Sequence, residues 1–381
     1  MPATVPGLPA DLEEILWDVA RERLPAGRLQ PRALAAAVTL LSARYTTRRA
    51  ELGRAGEGAL LAARLLFFGP SDAPKLEVPL AEVDSVAPLP RRLRVLDLGA
   101  GTGAMTLGLL AYLRRRGGAA EVEVEAIDHD VGALALLGHV AERARAALAP
   151  VRVAVRTRTA DLAGRHDLPP GPFDLVLLGA LLNEVHAGDA DRDRRRAALI
   201  VEAAARLRPA GAVIVIEPAL RLTARSLAAL RERLLAAGLV LFAPCPHAAV
   251  CPLLVRERDW CHEARRAAFS PRLQALARAT GRRQAAVRFA DLTVRRAGPT
   301  LAEARGAAWR VVSHPLPQKG LVALELCGAG RGVRVERLAR DTTASNAAWD
   351  DLGRGDLVSL EPAPGEGDRV RLTRDHRVAV R

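Results

Sequence analysis

Two groups of residues in this 381-residue chain have types and spacings that could do chemistry. The first is Val95-Leu96-Asp97-Leu98-Gly99-Ala100-Gly101-Thr102-Gly103, an apolar run feeding a glycine-rich turn. Glycines there let the backbone turn tightly and come close to a ligand at the start of a following helix. The second group is Cys245, Cys251 and Cys261, within 17 residues of one another, with His247 and His262 beside them and Cys327 far along the chain. Thiolates and imidazoles are metal ligands.

The glycine loop alone leaves a dinucleotide reading open, because Ala104 stands where a third glycine or alanine of that fingerprint would sit. Asp97, inside the strand end, tips the reading toward a ligand with an ammonium group, as methyltransferases bind in S-adenosylmethionine. Further on, Glu125-Ala126-Ile127-Asp128-His129-Asp130 closes a second apolar run. A carboxylate there can accept both ribose hydroxyls; Asp128 is the first choice and Asp130 the second. Asp161 is positioned to reach an adenine amino group, or equally to cap a turn. The expected cofactor-binding set is Asp97, Gly99, Gly101, Gly103, Asp128 and Asp161.

The run Phe173–Gly179 ends in Ala180-Leu181-Leu182-Asn183-Glu184-Val185. It lacks the Asn-Pro-Pro-aromatic motif of enzymes that methylate base amino groups, and no cysteine lies there for covalent catalysis. Asn183 and Glu184 are the candidate catalytic residues, with an ordinary helix start as the alternative. Glu217-Pro218 is open in the same way.

For the cysteines, disulfides are disfavoured in a reducing compartment. Zinc suits the residue types, but the C-x₂₋₄-C knuckle of structural zinc sites is missing. Cys245-Pro246 and Cys251-Pro252 resemble iron–sulfur loops, in which a ligand cysteine precedes proline. Both metals stay open on residues alone.

The elements that must hold these groups follow from periodicity. Residues 11–66 read as helical, with a capping-box pattern at Asp11 and Glu14 and a second helix from Pro31 through Leu41. Residues 69–92 hold five prolines and read as a linker. From Leu93 short apolar runs (93–98, 122–127, 151–156, 173–179, 211–217) alternate with helical stretches (103–116, 131–148, 191–207, 222–237), which predicts a parallel sheet covered on both faces. Leu239–Phe242 and Val287–Val294 supply the last strands, and 244–285 becomes an insertion. After Ala297 short runs at 309–313, 321–327, 332–338, 356–360 and 368–373 predict a small β-rich domain, with a barrel as its candidate shape. The expected organisation is a helical region and linker over 1–85, an α/β domain of the class I, Rossmann-like methyltransferase type over 86–300, and a β-rich domain over 301–381.

Formal net charge is +13, and only Lys75 and Lys319 are lysines. Mutational bias explains arginine over lysine but not the excess of base over acid, so a phosphate-rich partner such as RNA is expected. No apolar run reaches the roughly 18 residues of a membrane span, and residues 1–21 resemble neither signal nor transit peptide. A cytoplasmic monomer with no membrane contact is expected.

Together the glycine loop, Ile216-Glu217-Pro218, Arg225-Ser226-Leu227, the C-P-H-x₃-C-P block (245–252) and Asp259-Trp260-Cys261-His262 resemble the methyltransferase-like family of small-ribosomal-subunit proteins, found in bacteria and mitochondria. The resemblance runs from about Ser42 to Leu360, and the cysteine block is its most specific part. It implies that Cys245, Cys251, Cys261 and Cys327 together hold a [4Fe–4S] cluster, that the partner is the small ribosomal subunit and its rRNA during assembly, and that S-adenosylmethionine is bound. One departure is Glu263, where the family usually has an aromatic residue. Two functions follow as expectations: an rRNA methyltransferase, or a non-catalytic assembly factor with a structural zinc or redox-sensing cluster.

Overall fold

The computed structural model describes residues 4–47, 60–164 and 167–381. The segment 48–59, within the stretch expected to be helical, lies outside the described residues. The two described flanks are helical, including α1 (Ala10–Arg23) and α2 (Pro31–Thr46). Pro31 sits in the first turn of α2, where its missing N–H costs nothing.

The expected linker is not one. Residues 60–86 form a continuous series of short helical turns ending in α3 (Glu77–Val86), and most of it is buried. Pro70 and Pro74 each fall in a first turn, so they start helical segments rather than break them.

One large sheet follows. Its strands are β1 (Thr4–Pro6), β2 (Arg92–Leu98), β3 (Ala120–Asp128), β4 (Val151–Thr159), β5 (Phe173–Gly179), β6 (Leu207–Pro218), β7 (Val240–Ala243), β8 (Glu263–Ala268) and β9 (Ala286–Arg295). The order is β1-β8-β9-β6-β5-β2-β3-β4, with β7 also on β9. Strands β2 to β6 pair in parallel, and β9 runs antiparallel to β6. Helices α4 (Ala104–Arg116), α5 (Val131–Ala144), α6 (Arg192–Ala204) and α7 (Arg221–Ala236) make the crossovers. A parallel core whose strand order reverses at β2/β5, closed by an antiparallel strand, is the class I methyltransferase arrangement, as expected.

The pleat divides the core in two. In β5, Leu175 and Leu177 join the apolar cluster on one face, and Val176 and Leu178 join the cluster on the other. Both faces are covered, so the strand is apolar throughout rather than alternating. The cleft at the C-terminal edge of β2 and β5 is where such sheets bind ligands.

The segment 244–285 adds to this sheet. Its strand β8 pairs with β9 and with the N-terminal β1, and it also carries α8 (Pro271–Ala279). The C-terminal residues form a second, seven-stranded sheet: β10 (Trp309–Val311), β11 (Leu316–Gln318), β12 (Leu321–Gly328), β13 (Arg331–Leu338), β14 (Leu357–Glu361), β15 (Arg369–Leu372) and β16 (Arg377–Val380). It surrounds its own apolar cluster, with Trp349 fully buried. The five expected runs are strands; the short β11 and β16 were not foreseen. The two sheets are tied by Arg310 of β10, whose Nη1 donates to Glu82 of α3 at 3.1 Å and whose Nη2 donates to Glu263 of β8 at 3.2 Å. Among the described residues, no helix is long and apolar enough to cross a membrane.

Candidate functional site: a glycine-loop cleft beside a four-thiol cavity

The turn after β2 has the conformation its glycines permit. Gly99, Gly101 and Gly103 all have positive φ. A side chain at Gly99 would strike Leu181, and one at Gly103 would come within 2.4 Å of Leu137, whereas Gly101 faces open space. So Gly99 and Gly103 serve close packing, and Gly101 leaves room on the cleft side. The Gly101 amide donates to Asp128 Oδ2 at 2.8 Å, and the Asp130 amide donates to Asp128 Oδ1 at 2.8 Å.

A cleft of about 1130 Å³ opens here. Gly99, Gly101, Asp128, Asp161, Asn183, Glu184 and Glu217 all line it. Gly103 and Asp97 do not. Asp97 lies beneath the loop with no exposed surface and accepts from Thr106 Oγ1 at 2.6 Å. Burial raises its pKa to about 6 despite that bond. Its other oxygen, Oδ1, is buried without a hydrogen-bond partner among the described residues.

Asp130, the second choice for ribose, does other work. Its Oδ1 accepts from Ala133 N at 3.0 Å and caps α5, while Oδ2 accepts from Arg64 Nη1 at 2.9 Å. Asp161 lines the cleft and also accepts its own Ala163 amide at 2.8 Å, so it makes the turn that was its alternative. Residues 180–188 are turns, and α6 begins only at Arg192, so Asn183 and Glu184 do not start a helix. Glu217 Oε1 accepts from the Leu182 amide at 2.8 Å and fixes that loop.

Sequence reading missed one wall of the cleft. Tyr45, Arg64, Phe68 and Asp72 line it from the N-terminal helical region, with Tyr45 and Phe68 packed edge to face at 5.4 Å. It also missed His186, whose Nδ1 lies 2.9 Å from Asp189 Oδ2 at the cleft's edge. No spacing signals the first, which depends on how a distant segment folds back; His186 and Asp189 are local to the loop after β5 but match no motif.

The four cysteines come together. Cys245, Cys251, Cys261 and Cys327 line one small cavity with His247, His262, Asp291 and Arg310. Antiparallel pairing of β10 with β12 sets Cys327 opposite Arg310 and brings it in from the second sheet. Its Sγ is 3.4 Å from His247 Nε2. Burial pushes the Cys245 thiol up, although Arg231 and Arg310 pull the other way. Burial, then the charges of Cys245 and Cys251, pushes Cys327 up to about 12. Cys261 is pushed well up by burial and by the other three sulfurs. At Cys245, Cys261 and Cys327 burial therefore favours the protonated thiol. Among the described residues, no group of three or more His, Cys, Asp and Glu is arranged to hold a single metal ion.

Helix α7 is the wall between cleft and cavity. Thr223, Ser226 and Leu230 line the cleft, Ala224, Ala228 and Arg231 line the thiol cavity, and Leu227 lines both. Arg225 Nη1 donates to the carbonyls of Leu253, Arg256 and Asp259 at 3.0, 2.8 and 2.9 Å. Arg231 donates to the His247 carbonyl at 2.6 Å, and the Cys251 amide donates to Glu232 at 3.3 Å. One helix therefore holds the cysteine loop on one side and shapes the glycine-loop cleft on the other.

Fold and cleft define a protein of the class I methyltransferase fold. Solved structures with similar folds include a putative RNA methyltransferase from Pyrococcus horikoshii (16% identity, 58% of this chain and 82% of that one, TM-score 0.31). A putative class I S-adenosylmethionine-dependent methyltransferase from Listeria monocytogenes gives 12%, 61%, 81% and 0.35. A methyltransferase from Pyrococcus furiosus gives 14%, 58%, 83% and 0.34. No curated protein matches. Residues 75–351 match the family described as mitochondrial small ribosomal subunit Rsm22, and the chain belongs to that family.

Proposed function

We propose that this protein binds S-adenosylmethionine in the glycine-loop cleft and a [4Fe–4S] cluster at Cys245, Cys251, Cys261 and Cys327. We propose further that it acts on, or binds, small-subunit rRNA during assembly, as a cytoplasmic monomer. The observation that carries this reading is the convergence of four thiols from two sheets on a cavity that shares the wall α7 with the cleft.

The residues fit both groups. Asp128 can accept ribose hydroxyls while Gly101 leaves the approach open, and the orphaned Asp97 Oδ1, buried beneath the loop, would reach the ligand's cationic amino group only through an ordered water. The cleft exceeds the ~300–1,000 Å³ usual for one small ligand, which leaves room for an acceptor. Arg231 and Arg310 beside the sulfurs offset the negative charge of four thiolates. Bound S-adenosylmethionine supplies an electrophilic methyl group, and the bound cluster ties the cysteine loop to the second sheet. The protein's part in transfer would be orientation: Glu217 holds the 181–185 loop, where the buried Asn183 and the neighbouring Glu184 line the cleft.

The test is calorimetric titration with S-adenosylmethionine together with mass spectrometry of rRNA from cells lacking the protein. Micromolar binding and one modification that disappears, restored by the wild type and not by Gly101→Arg, support the methyltransferase reading. Binding with an unchanged rRNA supports the non-catalytic assembly factor. No binding to the cofactor overturns both the methyltransferase and the cofactor-bound form.

A further inference from the structure

The cysteine loop carries an aromatic pair, an exposed Trp260 on a half-buried His262. Trp260 is 38% exposed, and its ring stacks on the His262 imidazole with centroids 5.9 Å apart and planes at 22°. The other tryptophans are not available in this way: Trp309 and Trp349 are buried, and Trp17 is covered by Arg21 and Arg272. Two arginines flank the pair. Arg354 Nη1 donates to the His262 carbonyl at 3.2 Å. Arg288, exposed on β9, is the register partner of Ala264, two residues beyond His262. The exposed His314, just before β11, is a further neighbour of His262. Of the neighbouring acids, Glu263 is buried and engaged by Arg310 and Arg265, and Asp259 lies 3.9 Å from Arg258.

We propose that Trp260 and His262, with Arg288, His314 and Arg354, form a landing site for an unpaired RNA base, which stacks on the indole while its flanking phosphates meet the arginines. An aromatic face ringed by arginine is how single strands are held without sequence readout. Bases inside an A-form helix offer no such face, which points to a loop, bulge or single strand. The chemistry disfavours a protein partner, whose apolar anchor would not call for the two flanking arginines. The site rests on the RNA-binding part of the proposed function and names the surface that performs it. Because Cys261 lies between Trp260 and His262, the platform is built on the loop that the thiol centre anchors.

The test is fluorescence anisotropy of the full chain, purified anaerobically, with a labelled single-stranded oligoribonucleotide of about ten nucleotides and a duplex of the same length. The wild type binds the single strand more tightly. Trp260→Ala weakens that binding on the order of tenfold or more, whereas Trp260→Phe, which keeps a ring, retains most of it. Arg288→Glu, at an exposed position that should not disturb folding, weakens binding and flattens its salt dependence. Unchanged binding by Trp260→Ala and Arg288→Glu, or a preference for duplex, overturns the site while leaving RNA binding standing. Failure of the wild type to bind either RNA overturns the RNA-binding reading itself.

Discussion

The Asp128 carboxylate accepts the Gly101 amide through one oxygen and the Asp130 amide through the other, each at 2.8 Å. The acid at the end of β3 thus holds the glycine loop in its binding shape before a ligand arrives. Asp128→Asn keeps a single carbonyl acceptor and loses the charge. It should lower S-adenosylmethionine affinity by tenfold or more, about 1.4 kcal/mol or above, with little change in melting temperature. Calorimetric titration checks the first and a thermal melt the second.

The glycines of one loop should respond differently. At Gly103 an added methyl meets Leu137 and the φ of +90° is unfavourable, so Gly103→Ala should cost about 1–3 kcal/mol of stability. At Gly101 there is open space, so Gly101→Ala should cost about 1 kcal/mol from its positive φ and act mainly on ligand affinity. Denaturant melts paired with titrations separate the two.

Asp97 gives stability a pH dependence. Its pKa rises from 3.8 to about 6 on folding, so the folded protein keeps a proton that the unfolded chain has already released. Stability is fully present below about pH 4 and falls as pH rises toward 6. Asp97→Asn keeps the acceptor for Thr106 and removes the penalty. It should flatten the melting temperature between pH 4 and 6, with the gain at pH 7 offset by about 1–3 kcal/mol because the new amide N–H₂ is buried where Oδ1 has no partner, while weakening cofactor binding. A pH series of thermal melts on both proteins measures this.

Arg310 is buried with Glu82 and Glu263, and removing it leaves Glu82 without this buried partner while Glu263 keeps Arg265. Arg310→Met should destabilise the protein by about 3–5 kcal/mol. The loss should exceed that of Arg288→Glu on the exposed surface by several-fold, read by chemical denaturation.

Much of the α/β core was legible because β2, β3, β5 and β6 are short apolar runs each followed by a helix of clear periodicity. The glycine loop, Asp128 and the grouping of three cysteines were legible for the same reason: their signal is local. What was not legible is long-range. Pro70, Pro74 and Pro79 read as linker residues until their positions inside successive helical turns are known. The strand β8, Glu263-Ala-Arg-Arg-Ala-Ala, looks too polar for a sheet; it is one because Glu263 and Arg265 are buried in ion pairs with Arg310 and Asp356. Residues Thr4–Pro6 form a strand only because β8 offers them an edge. Asp97 carries the expected residue type but sits beneath the cleft, since the turn at Gly99 comes after its side chain has turned inward.

The most direct measurement is iron, acid-labile sulfide and zinc content, with the visible spectrum, of anaerobically purified protein and of Cys327→Ser. The account predicts about four irons and four sulfides per chain with a broad visible band in the wild type, and loss of both in the variant. One zinc per chain, or thiols that stay free in anaerobic wild-type protein, would contradict it.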